Sequence, residues 1–166
     1  MQDVALFFKL KDEFQGPGFK AMVKVEGRAL MAQEDDGLWW LFGVNPGGMA
    51  ESGDTPEAAY GAFRSFFKGI LTDFATESAD FEAFQLKVNA FICQTDDIEA
   101  DRWNVARDAA RKGTVNPADL FQRLFKITKD VPHCQVDFVL MRTEPVVLSP
   151  EPAKLVASNE DLELAA

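Results

Sequence analysis

Apolar residues fall into two spacings along this chain. Up to position 44 they form short extended blocks, and from position 59 onward they recur every three or four residues. The first spacing fits strands, whose side chains alternate faces, and the second fits helices at 3.6 residues per turn. Residues 4–10 predict a first strand, and Gln15-Gly16-Pro17-Gly18 a turn. Residues 19–26 predict a second strand. Gly27 marks a turn or a bulge, and 28–33 continue extended. Glu34-Asp35-Asp36-Gly37 carries the Asp-Gly step of a hairpin loop, with 38–44 as the return strand. The expected result is an antiparallel meander.

The return strand is apolar on both sides. Leu38, Trp40, Phe42 and Val44 share one face, and Trp39 and Leu41 the other, with Gly43 beside them. An antiparallel sheet with one wet face shows polar residues at alternate positions. Both faces of this strand are therefore expected to be covered, by helices of the same chain or by a second subunit.

Asn45-Pro46-Gly47-Gly48 ends the extended region. Thr55 then suits an N-cap, Pro56 the first helical position and Glu57 the first turn. Ala59, Phe63, Phe66, Phe67, Ile70 and Phe74 predict one apolar stripe on that helix, with Glu57, Arg64, Lys68 and Asp73 outward. Ser78 is the expected cap of a second helix presenting Phe81, Phe84, Val88 and Phe91. Asp96 and Glu99 have capping-box spacing for a third, which carries Ile98, Trp103, Ala106 and Ala110 and stops at Gly113. Asn116-Pro117 starts a short fourth helix with Leu120, Phe121 and Leu124 inward. Residues 135–142 alternate as a late strand expected to pair with the early sheet. The fold class is α+β: a meander sheet packed by an amphipathic helix, further helices over 78–125, and a late strand. Residues 1–142 are expected to form one domain. Residues 143–166, with Pro145, Pro150 and Pro152 and an acidic end, are expected to form a loosely docked tail.

Composition narrows the function classes. With 166 residues, 47% of them hydrophobic and 15 Phe among them, the chain can bury a core without staples. Its net charge of −10 repels phosphate backbones and anionic membranes and attracts basic partners. The longest apolar runs are too short to span a bilayer, and Gln2-Asp3 stands where a secretory signal carries basic residues. A cytoplasmic protein with two buried free thiols, Cys93 and Cys134, is the expectation.

One stretch resembles a known family. After the hairpin and return strand come Pro46-Gly47, then Gly53-Asp54-Thr55 and Glu57-Ala58. This order of strand, Pro-Gly turn, Gly-Asp-Thr cap and Glu/Ala-rich helix resembles the core of HicB-type antitoxins, over residues 28–74. The spacing between the two motifs is about one residue longer than in that family, and Gly48 stands where it has a small residue or Cys. The resemblance implies a protein that neutralises a small RNase toxin by binding it, and often a C-terminal DNA-binding segment. Here several helices follow the core and the C-terminal end is acidic.

Catalytic chemistry has little to work with. His133 is the one histidine, and its neighbour Cys134 points to the opposite face in an extended segment. One His and two distant Cys do not make a zinc site, and Glu34-Asp35-Asp36 has no EF-hand pattern around it. Gly43, Gly47 and Gly48 lack phosphate-loop spacing, so no cofactor is expected. A non-catalytic binding protein is the leading expectation, with a protein partner, in particular a small basic toxin-like one. Trp39 and Leu41 are the candidate contact or self-association face. A nucleic-acid regulator is the first alternative: seven basic against four acidic residues between 100 and 130 give a local excess, with Arg107 and Arg111 on one helix face. A small enzyme using Glu34, Asp35 or Asp54 is the second.

Overall fold

A computed structural model describes residues 3–113 and 134–143. The expected fourth helix, His133 and the C-terminal tail lie outside the described residues. The fold is α+β: a curled antiparallel sheet, three helices and a late strand. Strands β1 (Val4–Gly16) and β2 (Phe19–Gln33) form a long hairpin in unbroken register from Val4↔Met31 to Gly16↔Phe19. β3 (Trp39–Asn45) returns after the Glu34–Gly37 loop, where Gly37 takes a left-handed φ of 81°. A short β4 (Ala50–Gly53) follows and pairs with β3. Nothing apolar or alternating in Ala50-Glu51-Ser52-Gly53 signals that strand. Its pairing with β3 makes it.

Three helices follow: α1 (Pro56–Glu77), α2 (Phe81–Ile92) and α3 (Asp97–Arg111). Thr55 caps α1, its hydroxyl oxygen accepting from the Ala58 N–H at 3.1 Å. The buried stripe of α1 is Ala59, Phe63, Phe67, Leu71 and Ala75, a strict four-residue spacing. Phe66 stays 47% exposed, and Ile70 and Phe74 lie at the margin of the core. The large residues drew the expected stripe toward one side, whereas the interior takes the smaller Leu71 and Ala75. Ser78 caps the end of α1, not the start of α2. Its hydroxyl donates to the Phe74 carbonyl at 2.6 Å, and Asp80 caps α2 through the Ala83 N–H. Asp96 caps α3 by accepting from Ile98 and Glu99 N–H, but no reciprocal Glu99 bond closes the box: the Asp96 N–H donates to Val44 O. Ile98, placed inward from the sequence, is exposed.

β3 is covered on both sides. Leu41 is buried in the main core with Ala59, Phe63 and Phe67 of α1 and Phe84 and Val88 of α2, and Trp39 packs at its edge. On the opposite face, Leu30 and Val44 pack with Trp103 and Ala106 of α3, flanked by Phe7 and Phe42. Phe7 meets Trp103 edge-on at 5.3 Å.

Candidate functional site

The second edge of β2 is shared by two strands. β3 pairs with Arg28–Gln33, and β5 (Gln135–Thr143) pairs with Phe19–Glu26. Gly27 has no partner on that edge, so a fork opens between the end of β3 and the start of β5. The β2–β3 register shifts between Arg28 and Ala29, the bulge that the glycine foreshadows. A Cβ at Gly27 would run into the Asn45 carbonyl oxygen and the Phe8 ring, so the close approach requires glycine.

Side chains from three elements meet beside the fork. The Arg28 Nε donates to Asn45 Oδ1 at 2.8 Å. The Asn45 amide then donates to Thr95 Oγ1 at 2.7 Å and to the Gln94 carbonyl at 3.3 Å. This ties the end of β3 to the α2–α3 link, reinforced by Gly47 N–H to Gln94 O at 2.9 Å. The guanidinium carbons of Arg28 and Arg107 lie 5.1 and 5.4 Å from the Trp103 ring centroid, within cation–π range. Arg28 is only 7% exposed, and no carboxylate among the described residues pairs with it. Burial, and then the like charge of Arg107, push its pKa below the ordinary arginine value. Asn45 and the Trp103 face are what hold this cation in the interior. Earlier on the same strand, Glu26 is flanked by Lys24 and Lys9 at 2.9 and 3.2 Å, and the Lys24 bond above all holds its carboxyl below the usual range.

Two thiols meet at the fork. Cys93 caps the C-terminus of α2, Cys134 immediately precedes β5, and their Sγ atoms lie 3.3 Å apart. Burial pushes the Cys134 thiol up, the neighbouring Cys93 adds to the rise, and the Arg28 charge opposes it.

No family model, curated protein or solved structure matches this chain. Its chemistry is therefore read from its own residues.

β5 is one of the edge strands of the sheet among the described residues, with β1 and β4. Among the described residues it pairs with β2 alone. Phe138 turns inward against Phe81 and Phe84, whereas Val139, Leu140 and Met141 are 60%, 43% and 48% exposed. Strand alternation would leave only one face wet; here consecutive apolar residues are exposed, on a strand whose second edge has no partner among the described residues.

The residues singled out from the sequence are dispersed. Leu41 is fully buried and unavailable to a partner, and Trp39 is half-buried at the core margin. Their apolar character belongs to the core that α1 closes over β3. Arg107 stacks on Trp103 and binds Asp108 at 3.2 Å, while Arg111 lies in the last turn of α3. Glu34 pairs with Arg102, which also takes Asp3 in two bonds and Glu99. Asp36 accepts from the Leu38 N–H and the Trp40 indole. Glu34 and Asp36 thus have structural partners, Asp35 and Asp54 are exposed, and no group of three or more potential metal ligands forms among the described residues. The fork was missed. The available signal was an arginine at the head of the apolar run 28–32, and Asn45 ahead of a proline.

Proposed function

We propose that this chain is a non-catalytic binding module that sequesters a protein partner by taking one of its extended segments against the edge of β5 that has no partner among the described residues. The observation that carries this reading is the run of Val139, Leu140 and Met141, exposed on a strand with a single neighbour among the described residues. Main-chain pairing along such an edge supplies affinity, and side chains on alternate sides supply selectivity. The net charge of −10 favours a basic partner and speeds its approach. The HicB-like motif at Pro46-Gly47 and Gly53-Asp54-Thr55 points the same way, toward a small basic toxin-like protein. Arg107, the leading residue for a nucleic-acid reading, is engaged with Trp103 and Asp108.

Capture from nuclease-treated native extract tests the proposal. The wild-type chain is expected to retain a basic protein, and Val139→Lys/Met141→Lys to lose it by at least about tenfold, since added lysines both guard the edge and repel a cation. The Arg107→Glu chain is expected to keep it. Equal capture by the double-lysine chain, or loss only on Arg107→Glu or on nuclease treatment, would refute strand addition.

A further inference from the structure

Cys93 and Cys134 are 41 residues apart in sequence, yet the fold sets their sulfurs 3.3 Å apart. Each arrives by a different route. Cys93 is placed by the end of α2, where its N–H donates to Asn89 O, and Cys134 by the entry into β5. Both are free thiols; Cys93 is exposed and Cys134 half-buried against the core. Gln94 and Thr95, next to Cys93, are exposed too, so a small reagent has access. A structural thiol needs neither this exposure nor a second thiol at contact distance.

We propose that Cys93 and Cys134 form a thiol–disulfide site whose oxidant is a small-molecule disulfide of the glutathione class, and that oxidation links the end of α2 to the entry of β5. The proposal is independent of the partner assigned to the β5 edge. The exposed Cys93 thiolate attacks one sulfur of the oxidant, forming a mixed disulfide and expelling one thiolate. Cys134 gives up its proton, its thiolate attacks the Cys93 sulfur, and the second small thiolate leaves. The two protons released by the cysteines end on the two small thiols. Two protein thiols are oxidised to one disulfide, and one small disulfide is reduced to two thiols. The raised Cys134 pKa favours this order, because the buried thiol is the slower to ionise in solution. The Arg28 charge, which favours the Cys134 thiolate, assists the second step.

The test exposes the full chain to oxidised glutathione, followed by alkylation and mass spectrometry. Expected is a monomer lighter by two hydrogen atoms, without glutathione, with both thiols blocked, and yielding on proteolysis a linked pair of peptides containing Cys93 and Cys134. Its Tm should rise by roughly 5–10 °C and fall back with dithiothreitol. Cys134→Ser should hold glutathione on Cys93 as a stable mixed disulfide, because the resolving thiol is gone. Wild-type chains that retain glutathione, keep two alkylatable thiols or cross-link into dimers would overturn the proposal. So would a bridge that forms without raising Tm. The wild-type measurements decide the matter even if the serine variant does not fold.

Discussion

Replacing Trp103 with alanine is expected to lower stability by about 3–5 kcal/mol, the usual cost of emptying a large buried aromatic site. The side chain is nearly inaccessible and does three things at once. It fills the space between α3 and the sheet with Leu30, Val44 and Ala106. Its indole N–H donates to the Leu6 carbonyl at 3.1 Å, a bond from α3 to β1 that alanine removes. Its ring is the apolar counterpart of the Arg28 guanidinium. Urea unfolding followed by circular dichroism measures the loss. Trp103→Phe should recover the packing but not the hydrogen bond, and fall between the two. A Trp103→Ala cost under about 1 kcal/mol would mean that α3 does not close this face of the sheet.

Leu41→Lys is expected to prevent stable folding. The side chain is wholly buried against the α1 stripe, so the change takes an ammonium group out of water and into the core. Such a burial costs on the order of 4 kcal/mol or more, a large share of the total stability of a domain this size. Phe66→Lys on the exposed side of α1 should stay within about 0.5 kcal/mol of wild type. Thermal unfolding of the two variants separates the core from the surface. A well-folded Leu41→Lys chain that fails only to bind a partner would return Leu41 to the docking surface and contradict the cover assigned to α1.

Much of the fold is legible in the sequence because local and tertiary signals agree there. The Thr55-Pro56-Glu57 start combines a cap, a fixed φ and a favourable charge, and α1 begins where they do. The two-sided apolar character of residues 38–44 correctly demands cover on both faces, and α1 supplies one layer and α3 the other. What the sequence does not show is which element covers which face. Trp39 and Leu41 are as apolar in a core as in an interface, so their composition cannot distinguish the two roles. Phe66 and Ile98 illustrate the same ambiguity: bulk suggested burial, and the helix phase set by Leu71 and Ala75 or by Trp103 and Ala106 turned them outward. The fork depends on β2 dividing one edge between β3 and β5, a pairing more than a hundred residues apart in sequence for Glu26 and Gln135. No local pattern encodes it, so Arg28, Asn45 and the meeting of Cys93 with Cys134 appear only in three dimensions. The apolar alternation of 135–142 revealed the late strand but not that β2 would be its one partner among the described residues.

Amide hydrogen exchange over residues 135–143, measured in the free chain and in its complex with the captured protein, tests the docking strand most directly. Edge N–H groups without a β2 partner should exchange quickly in the free chain and be slowed at least about tenfold when the partner's segment pairs with them. Unchanged exchange across this strand, with protection arising on α3 or elsewhere, would show that the partner binds another surface.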